Sequence, residues 1–155
     1  MPLSELLGVM NPEDAQAVAA VGKACRAVVH AVRSGGRVWF VGAGTSGRLG
    51  VIEAAEMPPT FGTKPGLFQA IIAGGRAAVF NSREGVEDDF DEGSLQIERR
   101  GVSRRDVVIG ISASGNTPFV AGSLSRASRL GATTVLVSCN SRKFLAKSDI
   151  IINPS

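Results

Sequence analysis

The sequence is poor in the residues that build metal centres and disulfide frameworks. It has two cysteines, one histidine and one tryptophan, and it has no tyrosine. Cys25 and Cys139 lie far apart without a neighbouring histidine, so we expect neither a zinc site nor a disulfide, and we predict reduced, buried thiols. His30 has no second ligand at metal-binding spacing. We therefore predict an ordinary helix histidine and a protein without metal or cofactor.

Long apolar runs and a strong charge of one sign are also missing. No apolar run approaches the length that crosses a bilayer, and residues 1–10 lack the charged leader and apolar stretch of a secretory signal. Lys and Arg total 17 against 14 for Asp and Glu, and the basic residues are scattered. The net charge of +3 gives little reason to expect nucleic acid. We predict a cytoplasmic protein with no membrane and no nucleic-acid partner.

The length and composition predict one globular domain over residues 1–155, with 44% hydrophobic and 20% charged residues. Its first element is a predicted amphipathic helix over 11–35, followed by an α/β core over 37–152. Asn11 can cap this helix, Pro12 suits its first position, and a Gly-Gly pair ends it. Its apolar residues recur mostly three or four positions apart: Val18, Val21, Cys25, Val28, Val29 and Val32.

Five short apolar runs follow the helix, and their continuous apolar character is typical of parallel strands buried on both faces. Helical patterns separate the runs, so strand, loop and helix alternate. This predicts an α/β, Rossmann-like fold, a doubly wound parallel five-stranded sheet flanked by helices. The predicted strands are Val38–Val41, Leu67–Ala73, Val107–Ile111, Thr133–Ser138 and Asp149–Ile152, and the predicted helices between them are Ser46–Glu56, Arg83–Arg99 and Pro118–Leu130.

A glycine-rich loop joins the first predicted strand to its helix. Residues 42–47 read Gly-Ala-Gly-Thr-Ser-Gly, which matches the dinucleotide-binding fingerprint in form. That fingerprint also needs a carboxylate after the second strand, where residues 73–75 read Ala-Gly-Gly. A Walker loop is excluded because no Gly-Lys-Ser/Thr follows. The loop suits a phosphate monoester, held by backbone N–H groups and the hydroxyls of Thr45 and Ser46, unless these only cap the helix.

A second loop rich in hydroxyl groups follows the third predicted strand. Residues 112–118 read Ser-Ala-Ser-Gly-Asn-Thr-Pro and also open a helix. Ligands of such sheets bind at the carboxyl ends of the strands. We therefore expect both loops to surround one phosphate-binding pocket.

Together these motifs resemble the sugar-phosphate site of the sugar isomerase (SIS) family. Gly-Thr-Ser-Gly-Arg at 44–48 and Ser-Gly-Asn-Thr-Pro at 114–118 carry this likeness. The stretches at 56–62, 72–75 and 84–88 are similar to the N-acetylmuramic acid 6-phosphate etherases within it. The resemblance covers nearly the whole chain and implies an SIS-type fold.

The resemblance implies a lyase that removes D-lactate from the 3-position of N-acetylmuramic acid 6-phosphate in cell-wall amino sugar recycling. It leaves N-acetylglucosamine 6-phosphate. Such a reaction needs a base beside the open-chain aldehyde and an acid at the departing oxygen. By motif match the catalytic residues are Glu56 and Glu87, with the choice of base left open. A homodimer that binds a sugar 6-phosphate is also implied. Its expected substrate contacts are Gly44, Thr45, Ser46, Glu84, Ser112, Ser114, Asn116 and Thr117.

Glu56 and Glu87 lie in different predicted environments. Pro58 disfavours helix at Met57, so we expect the first core helix to stop at Glu56, where the negative end of the helix dipole favours a protonated acid. Glu87 lies in a cluster of carboxylates that are expected to be mostly solvated. Only the resemblance singles Glu87 out from these neighbours.

Other functions could use the same fold. A non-catalytic sugar-phosphate sensor like glucokinase regulatory protein would share the motifs at 82–88 and 118–122, but would not need Glu56 beside the sequence Pro-Pro-Thr at 58–60. An aldose–ketose isomerase would share the loops without the paired glutamates. A transcription regulator would need a DNA-binding region, for which one helix before the first strand leaves no room. The regulatory sensor is the alternative that we retain.

Two departures from the etherase pattern bear on this hypothesis. Ser112 and Asn116 stand where those proteins usually have alanine and arginine. The chain also lacks their early segment and ends before the Gly-Ser-Thr-Arg region that usually follows, so we expect truncation at both ends. A truncated chain, a fragment and a degenerate paralogue all fit. From these 155 residues alone we expect self-association and little lyase activity.

Overall fold

Five parallel strands and five α-helices make up the fold in a computed structural model that describes the backbone of residues 3–140 and 147–153 and the side chains of residues 17–140 and 147–153. The strands are β1 (Val38–Gly42), β2 (Phe68–Ile72), β3 (Val107–Ile111), β4 (Thr133–Val137) and β5 (Ile150–Ile152). The helices are α1 (Leu3–Arg33), α2 (Gly44–Phe61), α3 (Ala77–Phe80), α4 (Phe90–Arg99) and α5 (Pro118–Arg129), with a 3₁₀ turn at Val86–Asp88.

The strands pair in the order β2-β1-β3-β4-β5, and all four pairings are parallel. The predicted fold is confirmed. The chain steps from β1 to one neighbour, β2, and then crosses back to place β3 on the other side. The loops that leave β1 and β3 therefore diverge and open a crevice at the carboxyl edge, where ligands of sheets with this strand order bind.

Helices cover both faces of the sheet. One face packs on α4 and α5 in the larger core cluster, whose bulkiest members are Trp39, Ile97, Phe119, Leu124 and Leu136. On the other face, β3 and β4 pack against Ala24 and Ala31 of α1. Phe40 and Ile109 are register partners, so they point to the same face. Since α2 lies over Phe40, α1 and α2 share one side of the sheet.

The first helix begins at Leu3 and continues through Asn11 and Pro12, although the sequence predicted a start at Asn11. A proline inside a helix removes one backbone hydrogen bond. The residues before it include leucine, glutamate and methionine, which favour helix and offset that loss. A continuous helix of 31 residues results.

The second helix continues through Pro58 and Pro59, so the prediction that it stops at Glu56 is wrong. The two prolines remove only the N–H groups that would bond to carbonyls one turn earlier. Gly62 ends the helix instead, in the left-handed conformation with φ 66°, and its N–H donates to the carbonyl of Pro58 at 2.9 Å. Glu56 therefore lies inside the helix rather than at its negative end.

The predicted helix over Arg83–Arg99 is wrong in its first part. Only the 3₁₀ turn and α4 are helical in that range, and α3, which precedes them, has no counterpart in the prediction. Asp89 explains where α4 begins, because its carboxylate accepts the N–H of Glu92 at 2.8 Å and caps the helix. Glu84 thus lies on a loop and Glu87 on a tight turn. The predicted helix over Pro118–Leu130 matches α5 closely.

Among the described residues, no helix combines the length and the apolar character that crossing a membrane requires. The same residues contain no cluster of His, Cys, Asp and Glu that could hold a metal ion.

Cys25 and Cys139 are free and exposed, so the prediction of buried thiols is wrong. Cys25 lies on the outer face of α1, and Cys139 lies in the loop that leaves β4.

Candidate functional site

The glycine-rich loop turns from β1 directly into α2. A Cβ on Gly42 would lie 2.6 Å from the backbone nitrogen of Gly47, and Gly44 has φ 53°. Both positions therefore require glycine. Thr45 is exposed and Ser46 is half-buried. In the part of the chain that the structure describes, no side chain caps α2, so these hydroxyls do not serve as caps.

The second loop, between β3 and α5, is organised around the hydroxyl of Ser112. Its Oγ lies 2.8 Å from Thr117 Oγ1 and 3.5 Å from Ser114 Oγ, and it accepts the N–H of Gly115 at 3.1 Å. Ser112 is only 3% exposed, whereas Ser114 and Asn116 are exposed and Thr117 is half-buried. The outer residues of the loop face solvent while Ser112 lies beneath them.

The end of β4 supports this second loop. Asn140 Nδ2 donates to the carbonyl of Ser114 at 2.9 Å. Ala113 O accepts from Ser138 Oγ at 3.3 Å and from the N–H of Cys139 at 3.0 Å. The sequence interpretation did not select Asn140. Its position, a polar side chain directly after a strand, is the signal that selected the two serine loops and could have found it.

A cleft of about 170 Å³ connects the two loops and is lined by Ala43, Gly44, Glu87 and Thr117. Glu87 reaches it because the 3₁₀ turn lies over the carboxyl edge of the sheet, where Val86 packs against the larger core cluster. The cleft therefore unites a backbone loop at the start of α2, a hydroxyl at the start of α5 and a carboxylate. The start of each helix adds a positive partial charge.

A larger cleft of about 560 Å³ opens beside the first, and Glu84, Asp89 and Glu92 contribute to its wall. Gln96 Nε2 donates to Glu92 at 2.6 Å, and Asp89 caps α4, so these two carboxylates have partners. Glu84 is exposed on the loop before the 3₁₀ turn. The negative charge on this side disfavours a phosphate here and favours it at the helix starts.

Arg48 links α2 to the segment that carries these glutamates. Its Nε donates to the carbonyl of Val79 and its Nη2 to the carbonyl of Ala78, each at 2.9 Å. These carbonyls belong to α3, which precedes Glu84 and Glu87 in the chain. The guanidinium therefore fixes that segment relative to the glycine loop. The resemblance included Arg48 in its motif but gave it no role.

Glu56 lies apart from the cleft within one chain. It follows Gly44 by several turns of α2, which places the two residues about 18 Å apart along the helix axis. Its carboxylate is exposed and accepts from Thr60 Oγ1 at 3.1 Å. Leu49 and Ile52 lie on the same stripe of α2 and are 51% and 56% exposed. Glu56 thus faces outward beside apolar side chains.

The structure divides the predicted site residues into five groups. Gly44, Glu87 and Thr117 meet in the small cleft, and Glu84 lines its larger neighbour. Ser112 lies beneath the second loop and Glu56 lies far along α2. The remaining predicted contacts lie on the same two loops, outside the lining of the small cleft: Thr45, Ser46, Ser114 and Asn116.

Residues 20–128 match a family model described as the glucokinase regulatory protein N-terminal SIS domain. The chain belongs to this SIS-domain family. Similar curated proteins include the N-acetylmuramic acid 6-phosphate etherase of Geobacillus thermodenitrificans (strain NG80-2), which is 48% identical over 147 residues, covering 90% of this chain and 50% of that protein. The etherase of Thermosynechococcus vestitus (strain NIES-2133 / IAM M-273 / BP-1) is 47% identical, covering 87% and 46%. The SIS domain spans about half the length of the curated relatives it matches.

Solved structures share the fold of this SIS domain. Phosphoheptose isomerase GmhA from Neisseria gonorrhoeae matches it with a TM-score of 0.72 at 18% identity, covering 97% of this chain and 81% of that one. At that identity the likeness shows the fold alone. The resemblance that the sequence motifs indicated, to SIS proteins and to the etherases among them, is confirmed.

Proposed function

We propose that this SIS domain acts in a carbon–oxygen lyase that cleaves the D-lactyl ether of N-acetylmuramic acid 6-phosphate. The products are N-acetylglucosamine 6-phosphate and D-lactate, as in the recycling of cell-wall amino sugars. The observation that carries the proposal is the cleft in which Glu87 lies with Gly44 and Thr117. It combines a phosphate-type loop with a carboxylate, and the etherases named above are 47–48% identical to this chain.

The phosphate would lie at the starts of α2 and α5. Backbone N–H groups without helical partners point out of a helix start, and the dipole adds positive potential there. The hydroxyls of Thr45, Ser46, Ser114 and Thr117 can donate to phosphate oxygens, and Asn116 can add its amide. Among the described residues, Glu87 is the one carboxylate that lines the small cleft, so the charge favours phosphate at the loops, with the sugar extending toward Glu87.

The chemistry divides between two carboxylates. A base removes the acidic proton beside the open-chain aldehyde, and the bond between carbon 3 and the lactyl oxygen breaks as an acid protonates that oxygen. Water then adds to the resulting alkene. We assign the base to Glu87, because this residue lines the cleft that would hold the sugar. Glu56 is then the acid.

Glu56 can serve this cleft only from a second copy, because about 18 Å along α2 separates it from its own loop. We therefore propose a homodimer formed through the outward side of α1 and α2. Val18 and Val29 on α1 are exposed there, as are Leu49 and Ile52 next to Glu56. Exposed apolar side chains of this kind suit a protein interface. Pairing across it would place Glu56 in the contact between copies.

We also propose a cytoplasmic location. Cys25 and Cys139 are free and exposed, and thiols of this kind persist in a reducing compartment. Phosphorylated sugars are likewise intracellular metabolites, so the proposed substrate and the free thiols both favour the cytoplasm.

The test is D-lactate release from N-acetylmuramic acid 6-phosphate, measured together with binding of N-acetylglucosamine 6-phosphate. We expect slow but measurable release from these 155 residues, and we expect it to disappear in Glu87→Gln while binding persists. The alternative is a regulatory SIS domain, which the match to glucokinase regulatory protein favours. Binding of the sugar phosphate without any D-lactate release would support that alternative and contradict the lyase.

A further inference from the structure

We propose that Ser112 is a positioning residue whose buried hydroxyl directs the proton of the Thr117 hydroxyl toward an anionic ligand in the small cleft. The inference rests on the proposed sugar-phosphate function of that cleft. It changes the predicted role of Ser112, which the sequence placed among the direct substrate contacts.

Ser112 is poorly placed to touch a ligand itself. It is 3% exposed, and its Oγ is occupied by three neighbours within its own loop: Ser114, Gly115 and Thr117. It does not contribute to the lining of the cleft, whereas Thr117 does. The 2.8 Å contact between Ser112 Oγ and Thr117 Oγ1 therefore connects a buried hydroxyl to a hydroxyl at the ligand surface.

Counting protons decides how the two hydroxyls share that contact. A hydroxyl has one proton to donate and two lone pairs with which to accept. Ser112 Oγ already accepts the N–H of Gly115, and its own proton can go to Thr117 at 2.8 Å or to Ser114 at 3.5 Å. A hydroxyl–hydroxyl bond is strongest near 2.7–2.8 Å and weak at the longer distance. Thr117 is therefore the better acceptor.

When Ser112 donates to Thr117, the Thr117 proton is free to point into the cleft. Phosphate oxygens only accept hydrogen bonds, so an anion in the cleft stabilises this arrangement, and the bond to it is charge-assisted. In the absence of an anion, Thr117 can donate back to Ser112, because the same two atoms bond in either direction. Binding would thus reverse the direction of one buried hydrogen bond, and Ser112 supplies the partner that makes the reversal possible.

A double-mutant cycle between Ser112 and Thr117 tests this coupling. The probe is N-acetylglucosamine 6-phosphate, with its dissociation constant measured by calorimetry. Thr117→Val, which keeps the shape without the hydroxyl, should weaken binding by about 10-fold or more, because it removes a bond to a charged group. Ser112→Ala should weaken binding by about 3- to 10-fold in the wild type and by less than about twofold in Thr117→Val, because it acts only through Thr117.

Two further variants separate positioning from a role in folding. Thr117→Ser retains a hydroxyl, so it should retain both most of the affinity and the sensitivity to Ser112→Ala. Ser123→Ala is the matched control: its fully buried Oγ has one proton to share between the carbonyls of Gly93 and Phe119, which lie 3.0 and 2.9 Å away. It should lower the melting temperature and leave the affinity unchanged.

The outcomes are distinguishable. Losses that add in the double variant, or an unchanged affinity in Ser112→Ala, would overturn the positioning role in a protein that still binds the probe. A wild-type protein that binds no sugar phosphate would overturn the proposed function and this inference together.

Discussion

Arg48 on α2 donates through Nε to the carbonyl of Val79 on α3 at 2.9 Å, and through Nη2 to the adjoining carbonyl of Ala78. Arg48, one side chain of α2, therefore fixes the position of α3 relative to the glycine loop. The carbonyls at a helix end have no intrahelical partner, so the two bonds satisfy groups that α3 leaves open.

Replacing Arg48 should loosen this connection. We expect Arg48→Ala to lower the free energy of unfolding by about 1–3 kcal/mol, since two bonds from a charged donor are lost. Arg48→Lys should restore only part of it, because an ammonium group lacks the planar fork. Urea denaturation measures the change. Arg76→Ala, at an exposed position near α3, is the control and should stay close to the wild type. Equal stability of Arg48→Lys and the wild type would show that the fork is not needed.

Removing single hydroxyls from the two loops should weaken sugar-phosphate binding. Each of Ser46→Ala and Ser114→Ala deletes a donor to a charged group, and we expect a loss of about 1.5–3 kcal/mol of affinity. Titration calorimetry with N-acetylglucosamine 6-phosphate measures it. Ser94→Ala, whose hydroxyl donates to the carbonyl of Gly122 between α4 and α5, should bind normally. Unchanged affinity in both loop variants would remove the phosphate from these loops.

Neutralising the two proposed catalytic carboxylates should block turnover without blocking binding. In a preparation that releases D-lactate, Glu87→Gln and Glu56→Gln should each lower the rate by about 100-fold or more, since each removes a proton-transfer group. Asp91→Asn, an exposed carboxylate in the first turn of α4, is the matched control and should turn over normally. Similar rates for all three variants would contradict the assignment to these glutamates.

A charge on the outward side of α2 should separate the proposed dimer. Ile52→Glu places a carboxylate in the apolar surface beside Glu56, and burying an unpaired charge is costly. We expect the mass from light scattering to fall from dimer to monomer. Phe80→Glu is the control, because Phe80 is also exposed but lies on α3. A dimer that survives Ile52→Glu and dissociates in Phe80→Glu would place the interface elsewhere.

The sheet could be predicted from the sequence because its strands are continuous apolar runs. Val107–Ile111 has the predicted bounds in the structure, and each of the other strands differs by one residue at one or both ends. Glycine turns and polar loops separate these runs, so the local sequence and the pairing of the strands indicate the same strand limits. The loops after β1 and β3 could be placed at one edge for the same reason, since parallel strands end together.

The helices were less predictable, because their limits depend on tertiary packing. Pro58 argued for an early end to α2, yet the left-handed Gly62 ends it later. The valines of α1 mark an apolar stripe, but the sheet packs against Ala24 and Ala31, and Val18 and Val29 stay exposed. An apolar pattern identifies a stripe without saying which side meets the sheet.

Parts of the site that act through backbone carbonyls were hidden from sequence patterns. Arg48 binds carbonyls of residues that are distant in the chain, and no local motif records such a contact. The distance between Glu56 and the glycine loop could not be predicted either, for a different reason. The motif of Glu56 was correctly recognised as similar to the etherases, but only the helix reveals how far it lies from the loop.

The uninterrupted α2 has a thermodynamic consequence for a dimer of this kind. The proposed phosphate loop lies at the start of α2, and the exposed apolar side chains lie further along the same helix. Ligand binding at the loop and subunit contact at the apolar side chains therefore both involve one rigid helix. Because Glu56 of one copy would complete the cleft of the other, ligand binding and subunit association would be linked equilibria, and each would strengthen the other by the same factor. Dilution would weaken the affinity for sugar phosphate, and saturating sugar phosphate would hold the two subunits together at concentrations where the free protein dissociates.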